Sequence, residues 1–397
     1  MSRLLSVSAR VGQWPGPRLV KVAGLDEFAS GHFPIERMVL DTRSKSSPLA
    51  CNDALRALPW AGFLTDDIGA EPGAATLSIL GPSDAVRHGD VLEILPNGNE
   101  IALRYRRGET GNVLFATERC NSYCLMCSQP PREVDDGWRA EHLMHLADLV
   151  DKDEAELAIS GGEPTLLGDG LVDLVRHCAR SLPRTHIHIL SNGRLLAVKK
   201  TAQRFTGTHS SLSWGVPLYG DTYDLHDYVV QSRGAFDETI RGLYALYAAK
   251  QRIELRVVLV RPTVERLREL ARYIYHNLPF AEHIALMGIE PIGFAKGHRD
   301  ALWIDPADAA PVLSDVVAWL AARGMTVSLY NLPLCALPAT LWPFAKRSIS
   351  TWKQTHLTAC EHCAIKDRCG GFFRWTTPAW TTRALRPFAE DPSCKSH

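Results

Sequence analysis

Residues 120–127 read Cys120-Asn-Ser-Tyr-Cys124-Leu-Met-Cys127 and place three thiols on one short loop. A cubic iron–sulfur cluster has four irons, each of which takes one thiolate when the cluster is fully ligated. Three cysteines therefore leave one iron without a protein ligand. Catalytic zinc sites keep an open position of the same kind for water or substrate. The spacing thus predicts a cluster site that binds a further ligand.

The composition is that of a globular protein without marked charge. The chain has 397 residues, of which 46% are hydrophobic, and 44 basic residues balance 44 acidic ones. This length predicts two or three domains, and zero net charge without Lys or Arg runs argues against a nucleic-acid partner. No run of about 18 apolar residues occurs, and residues 1–10 lack the apolar core of a secretory signal. We expect a cytoplasmic protein without membrane attachment.

Most of the ten cysteines fall into two clusters, of which residues 120–127 hold the first. The second consists of Cys335, Cys360, Cys363 and Cys369. Clustered cysteines in the reducing cytoplasm indicate metal ligation rather than disulfides. The isolated Cys51 and Cys178 are predicted to be small buried apolar residues. Cys394 is a spare candidate ligand, for which a free thiol is the alternative.

Three regions differ in their sequence pattern. Residues 1–112 predict a small β-rich domain, because Pro96-Asn-Gly98 separates two alternating runs within residues 90–105, as in a hairpin. Residues 113–300 alternate strands with helices, which predicts an α/β fold whose parallel sheet curls into a partial (β/α)6 TIM-like barrel. Residues 301–397 form a Cys-rich C-terminal extension. The predicted barrel strands are 112–117, 156–160, 186–190, 212–218, 254–260 and 284–290.

Helical spacing connects the predicted strands and continues into the third region. The predicted helices are 138–150, 166–181, 236–250, 264–277 and 306–323. One further strand is predicted at 325–330. In a parallel barrel the functional site lies at the carboxyl ends of the strands, and the cysteine loop follows the first of them.

Two glycine-containing turns follow the next strands. Gly161-Gly-Glu-Pro164 comes after the second strand, and Ser191-Asn-Gly193 comes after the third. Glycine lets the backbone approach a ligand closely, and a carboxylate can hold an ammonium group. An ordinary turn is the alternative for Gly161–Pro164 alone. A zinc knuckle is the alternative for the cysteine loop, with His142 or His145 as fourth ligand, although both lie on a predicted helix.

The cysteine loop after a first strand, combined with Gly-Gly-Glu-Pro after the second, resembles the radical S-adenosylmethionine (SAM) superfamily over residues 113–295. The resemblance implies a [4Fe–4S] cluster on Cys120, Cys124 and Cys127, whose open iron binds the amino and carboxylate groups of SAM. Reductive cleavage of SAM gives methionine and a 5'-deoxyadenosyl radical, which abstracts hydrogen from a substrate. Met126 departs from the family pattern, which usually has an aromatic residue there.

The resemblance also implies which residues contact the cofactor. Glu163 would take the methionine ammonium, and Ser213 would approach the ribose. Arg256 would pair with the carboxylate, for which an ordinary ion pair is the alternative. Gly288, in Gly288-Ile-Glu290, would lie along adenine. The remaining cofactor-binding candidates are Gly161, Gly162, Pro164, Ser191 and Asn192.

The second cysteine cluster can hold another iron–sulfur cluster or a closed structural zinc site, and its spacing does not separate the two. Within a radical SAM chain it resembles the auxiliary-cluster extensions called SPASM and twitch domains. A further cysteine is absent after Cys369, where Gly370-Gly-Phe-Phe373 stands. The resemblance therefore implies one auxiliary cluster.

Longer stretches narrow the resemblance to the radical SAM maturase of the His-Xaa-Ser system. These stretches are residues 117–131, Pro217-Leu-Tyr-Gly220, His226-Asp227, Asn331–Cys335 and the Cys-Gly-Gly-Phe-Phe ending. Such an enzyme implies a ribosomal precursor peptide, a second radical SAM maturase and a flavodoxin- or ferredoxin-type electron donor. The alternatives are a radical SAM enzyme for a small molecule or cofactor precursor, and a non-catalytic zinc or iron–sulfur module.

His226 and Tyr219 are the candidate catalytic residues, since both follow the fourth predicted strand. A histidine there can act as a general acid or base. Packing is the alternative for Tyr219, and capping of a helix start is the preferred interpretation for the neighbouring Asp227.

Overall fold

The structure, a computed structural model, describes residues 5–43, 52–67 and 74–391. Cys51 and Cys394 lie outside the described residues, whereas Cys178 is buried in an apolar core as predicted.

Seven strands of the N-terminal region close into a barrel. They are β1 (Leu5–Val11), β2 (Leu19–Ala23), β3 (Met38–Asp41), β4 (Gly62–Leu64), β5 (Thr76–Ile79), β6 (Val91–Ile94) and β7 (Glu100–Tyr105). Their order around the barrel is β1-β5-β4-β3-β2-β6-β7, so every strand is paired on both edges. The predicted hairpin is present as the antiparallel pair β6 and β7. Two short helices, α1 (Leu25–Ser30) and α2 (Asp53–Arg56), connect the strands.

The larger part of the chain is built on one eight-stranded parallel sheet. Its strands follow chain order: β8 (Val113–Phe115), β9 (Glu156–Ser160), β10 (His186–Leu190), β11 (Leu212–Pro217), β12 (Arg252–Val258), β13 (His283–Met287), β14 (Val327–Tyr330) and β15 (Ala345–Lys346). The six predicted barrel strands are the first six. The sheet has two strands more than the predicted (β/α)6 unit, because β14 and β15 continue the parallel pairing beyond β13.

Helices connect these strands. They are α3 (Arg139–Leu149), α4 (Asp169–Ser181), α5 (Lys199–Gln203), α6 (Tyr223–Val230), α7 (Ala235–Ala248), α8 (Arg261–Glu265), α9 (Leu267–Asn277), α10 (Phe294–Gly297), α11 (Arg299–Leu302) and α12 (Pro306–Ala321). The helix predicted at 264–277 is divided into α8 and α9, because Arg266 adopts a non-helical conformation. The short helices α5 and α6 were not predicted from the sequence.

Alternation along the strands gives the sheet one apolar and one polar face. On β10, Ile187 and Ile189 are buried in the same core as Leu146 of α3 and Leu243 of α7. The other face carries a cavity whose lining includes His186, His188 and Leu190. Because successive side chains of a strand point to opposite faces, the helices cover one side of the sheet and leave the polar side open.

Lys21 of β2 fixes the N-terminal barrel to the sheet. Its side chain is fully buried, and its Nζ donates to Leu149 O at 2.8 Å and pairs with Asp151 Oδ1 at 2.8 Å. A buried ammonium needs such partners, because removing its charge from water is costly.

The C-terminal region adds the antiparallel pair β16 (Gln354–Thr355) and β17 (Phe372–Phe373). Within the described ranges, no helix has both the length and the apolar character that a membrane crossing requires.

Candidate active site

A cavity of about 310 Å³ lies at the carboxyl ends of the parallel strands. Its lining brings together most of the predicted site residues: Cys120, Cys124, Cys127, Gly161, Gly162, Ser191, Asn192, Tyr219, Arg256 and Gly288. The cysteines come from the loop after β8, and the others follow β9, β10, β11 and β13 or lie on β12. The parallel order of the strands therefore brings these distant segments to one edge, as expected.

The cysteine loop is fixed by backbone hydrogen bonds to α6 and to the first residue of α10. Tyr123 N donates to Val230 O at 3.0 Å, and Phe294 N donates to Cys127 O at 2.9 Å. Gly293 has a φ of 61°, and a Cβ there would lie 2.3 Å from Cys127 O. Only glycine permits that conformation and approach. Sequence reasoning missed Gly293, since one glycine in a loop is a weak signal without knowledge of its neighbours.

The three thiols are partly enclosed, which disfavours their charged form. Burial raises the pKa of Cys120 to about 11 and raises the pKa values of Cys124 and Cys127. Metal coordination deprotonates such thiols outright. Thiolates also suit iron–sulfur clusters, in which each cysteine binds a different iron. The donor set on this cavity wall therefore fits a cluster.

The geometry supports binding of a single metal ion at the cysteine loop less well than binding of a cluster. Throughout the described ranges, no three His, Cys, Asp or Glu side chains converge closely enough to hold one metal ion. His142, one alternative fourth zinc ligand, lies on α3, where its Nε2 is 3.6 Å from Glu93 of the N-terminal barrel. The other, His145, also lies on α3. Neither histidine lines the cavity beside the cysteines.

The Gly161-Gly162 turn packs against the segment that leads into the cysteine loop. Gly162 N donates to Thr117 O at 2.7 Å. A Cβ at Gly161 would lie 2.4 Å from Thr117 O, and one at Gly162 would lie 2.0 Å from Arg119 O. A backbone-to-backbone contact therefore requires glycine at both positions.

Glu163 connects the two glycine-containing turns. Its carboxylate is fully buried: Oε1 accepts from Thr165 N at 3.0 Å and Ser191 Oγ at 2.8 Å, and Oε2 accepts from Asn192 N at 2.6 Å. Burial raises its pKa, and the hydrogen bonds oppose that shift. The carboxylate does not line the cavity. Neighbouring donors already use part of the accepting capacity of these oxygens, and the expected contact with a cofactor ammonium stays a prediction. Pro164 is buried at the start of a 3-10 helix.

Asn192 reaches from the second turn to the cysteine loop. Its Nδ2 donates to Asn121 Oδ1 at 2.6 Å and lies 3.9 Å from Cys120 Sγ. The amide therefore contacts both the loop and a sulfur atom. An N–H group near a cluster sulfur is one of the features that set reduction potentials of iron–sulfur clusters.

Arg256 and Gly288 line the cavity on its far side. Arg256 Nη1 pairs with Glu254 Oε1 at 2.6 Å, which is the ordinary ion pair considered as the alternative. Gly288 N donates to Tyr330 O at 2.8 Å, and a Cβ there would lie 2.5 Å from Asn331 O. Close contact with β14 and the following loop therefore requires glycine at this position.

Ser213 does not line the cavity beside the cysteines, and its expected contact with a ribose stays a prediction. It is the second residue of β11, and its Oγ is 2.7 Å from both His186 Nε2 and His188 Nδ1. These groups line a second cavity of about 550 Å³. The physical reason is strand direction: the start of β11 lies near the amino end of the sheet, whereas the cysteines are at the carboxyl end.

Tyr219 lines the cysteine cavity, whereas His226 does not. The two rings stack with centroids 5.8 Å apart, and Tyr219 N donates to His226 Nδ1 at 3.3 Å. Asp227 accepts from Gly234 N at 2.5 Å and Phe236 N at 2.8 Å, at the start of α7. The structure thus shows capping by Asp227 and a packing role for His226.

His226 gives a prediction about the pH dependence of stability. Burial lowers its pKa from 6.5 to about 4. Because the folded pKa is below the unfolded one, the unfolded chain binds the proton first, and stability falls as the pH drops from 6.5 to 4. The slope approaches about 1.4 kcal/mol per pH unit. We expect His226→Asn, whose amide oxygen can accept from Tyr219 N, to weaken this dependence in thermal unfolding from pH 7 to 4. Equal pH dependence in both proteins would contradict it.

The late cysteines lie close to one another. Cys335 sits in a 3-10 turn after β14, and burial together with the nearby Cys369 and Cys360 raises its pKa to about 11. Backbone amides point at two of the sulfurs: Leu334 N and Gly371 N are each 3.4 Å from Cys369 Sγ, and Phe388 N is 3.4 Å from Cys363 Sγ. Such amides stabilise thiolate charge.

Comparisons with known proteins found one family model and several solved structures that are similar to this chain. The model of the Radical SAM superfamily matches residues 114–274. The crystal structure of Streptococcus suis SuiB is similar at 18% identity, covering 57% of this chain and 50% of SuiB, with a TM-score of 0.46. Native anSMEcpe with bound AdoMet is similar at 18% identity, covering 55% of this chain and 62% of that chain, with a TM-score of 0.44. The chain thus matches less than two thirds of either structure. No curated protein matches it.

Proposed function

Because residues 114–274 form a radical SAM superfamily domain, we propose that this chain is a radical SAM enzyme whose cysteine loop holds a [4Fe–4S] cluster and whose adjoining cavity binds SAM. One observation carries the proposal: Cys120, Cys124 and Cys127 meet the two glycine-containing turns around a single cavity. Its volume of about 310 Å³ is within the usual size of ligand pockets. The cysteine clusters are consistent with the reducing cytoplasm as its place of action.

The chain's own residues bind and orient in this proposal. A bound cluster would supply the one electron that reductive cleavage of SAM to methionine and a 5'-deoxyadenosyl radical requires, and hydrogen abstraction from the substrate would follow. Cys120, Cys124 and Cys127 would hold the cluster, and Glu163 would keep the Ser191-Asn192 turn against the cysteine loop. Tyr219 and Arg256 form the wall of the cavity on the side away from the glycine turns. Their side chains would exclude water from the cavity.

We propose a ribosomal peptide as the substrate, following the resemblance to His-Xaa-Ser maturases. The shape of the interior supports an extended substrate. The cysteine cavity shares Leu190, Arg256 and Met287 with the second cavity of about 550 Å³. That cavity in turn shares Gly111 and Trp352 with a groove beside the N-terminal barrel. Adjoining cavities of this kind suit a peptide segment. A second maturase and a flavodoxin- or ferredoxin-type electron donor belong to the same proposal.

Co-production tests the substrate. We expect a peptide with His-Xaa-Ser repeats to change mass when it is produced with the wild-type chain, and to keep its mass when it is produced with Cys124→Ala. A matched peptide with alanine in place of each repeat histidine is the specificity control. If reduced wild-type protein releases 5'-deoxyadenosine but leaves the His-Xaa-Ser peptide unmodified, the peptide assignment is wrong, and a small-molecule substrate becomes the better proposal.

The four late cysteines are proposed to hold one auxiliary cluster. The proposed division into residues 1–112, 113–300 and 301–397 places them in the third region, next to the last strands of the sheet. We expect about eight irons per wild-type chain and about four in Cys335→Ala, since each cubic cluster holds four. Iron, sulfide and zinc analysis after anaerobic reconstitution measures this. If wild type contains stoichiometric zinc that Cys335→Ala lacks, the four late cysteines form a structural zinc site and not an auxiliary cluster. The assignment of the first cluster would be unaffected.

A further inference from the structure

Arg194 joins the turn after β10 to the cysteine loop, although the sequence patterns did not single it out. Its Nη1 donates to Asn121 O, to Ser122 Oγ at 3.1 Å and to Ser232 Oγ at 2.9 Å. Its Nε pairs with Glu238 Oε2 at 2.6 Å. One guanidinium therefore contacts the arc between Cys120 and Cys124, the segment after α6, and helix α7.

These contacts hold the carbonyl of Asn121 and the hydroxyl of Ser122. Ser232 Oγ also donates to Asn121 O, at 3.2 Å, so Arg194 and Ser232 share one carbonyl acceptor. Ser122 is only 2% exposed, which makes its hydroxyl dependent on a protein partner. Loss of the guanidinium would leave these oxygens without their charged donor, and charge-assisted hydrogen bonds are the stronger kind.

The charge of Arg194 lies beside the cysteine loop. Its guanidinium donates to Asn121 O and Ser122 Oγ, which belong to the two residues directly after Cys120. Glu238 partly neutralises the guanidinium, but its side chain is 37% exposed against 13% for Arg194. Water therefore screens the carboxylate more than the guanidinium. The guanidinium therefore keeps part of its positive charge beside the loop.

From these contacts, we propose that Arg194 is a positioning residue that fixes the Cys120–Cys124 arc in its cluster-binding shape and places positive charge beside the cluster. This inference rests on the proposed function, since it requires a cluster on the cysteine loop. The two roles are separable, because lysine keeps the charge but lacks the planar fork that reaches several oxygens at once.

Iron release and redox titration of the reconstituted protein test both roles. We expect Arg194→Met to lose iron to a chelator at least tenfold faster than wild type. At a fixed potential, its ratio of reduced to oxidised cluster, measured by electron paramagnetic resonance, should fall about tenfold, equal to 59 mV for one electron. Arg194→Lys should release iron faster yet keep the wild-type potential. The matched control is Arg204→Met, which removes another arginine paired with one carboxylate, Asp169, away from the loop.

The outcomes separate this inference from the proposed function. Failure of wild type to bind iron on the cysteine loop would overturn both. If Arg194→Met has the same iron-release rate and cluster reduction potential as wild type, only the inference about Arg194 is overturned. If Arg194→Met does not fold, Arg194→Lys is the deciding variant. Iron release from Arg194→Lys as slow as from wild type and Arg204→Met would reject the positioning role. The apo forms of Arg194→Lys and Arg204→Met should lose the same amount of thermal stability, while only Arg194→Lys releases iron faster. This result excludes a merely structural role and supports the positioning role of Arg194.

Discussion

Replacement of Cys124 by alanine is expected to abolish formation of 5'-deoxyadenosine from SAM and to remove about four irons per chain. Cys124 is the central thiol of the loop, and two remaining thiolates would leave two irons without protein ligands. Its neighbour Leu125 would still be held by the backbone hydrogen bond to Val229 O, so the loss arises from the ligand and not from unfolding. Anaerobic reconstitution, reduction with dithionite and chromatographic detection of 5'-deoxyadenosine measure the effect.

Cys178→Ala is the matched control for that experiment. Cys178 is fully buried on α4 and is not part of either cysteine cluster. Its replacement should cost about 1 kcal/mol of stability and leave iron content and product formation unchanged. Persistence of 5'-deoxyadenosine formation in Cys124→Ala, or its equal loss in both variants, would refute the assignment of the cysteine loop.

Replacement of Gly162 by alanine is expected to disrupt the site with a similarly large loss of activity. The added Cβ would lie 2.0 Å from Arg119 O, so the backbone of one turn must move. That movement breaks the hydrogen bond from Glu163 N to Arg119 O, which is 2.8 Å long. Overpacking of this kind costs about 3 kcal/mol. Denaturant unfolding measures the loss of stability, and iron content after reconstitution measures the loss of loop geometry.

Gly137→Ala supplies the comparison. A Cβ at Gly137 meets no atom within 4 Å, and its φ lies outside the left-handed region. This variant should match wild type in denaturation midpoint and iron content. A normal midpoint and normal iron content in Gly162→Ala would show that the turn accepts a side chain, and that the contact with Arg119 does not constrain the loop.

Much of the sheet was predictable because its strands are short apolar runs with regular alternation. β9 and β10 begin and end where the sequence predicted, at 156–160 and 186–190. The split between α8 and α9 was missed, since apolar spacing continues across Arg266. The addition of β15 was also missed, because a strand of two residues has no recognisable period.

The positions of individual site residues were less predictable. Motifs place Glu163 and Ser213 near a cofactor, yet Glu163 is enclosed by backbone and hydroxyl donors, and Ser213 contacts His186 and His188 in the second cavity. Arg194 illustrates the opposite case, since it lies in no recognised motif but contacts the cysteine loop. Partners distant in sequence decide all three cases.

By itself, the sequence determined the chemistry that this protein can hold: Cys120, Cys124 and Cys127 on one loop, after a strand and before a Gly-Gly-Glu-Pro turn. Local spacing is sufficient for that, because the three ligands lie within eight residues. Only the tertiary structure decided which distant groups complete the site. Asn192 and Arg194 reach the loop because the parallel strands β8 to β10 end at the same edge, where groups more than 70 positions apart along the chain come within hydrogen-bonding distance.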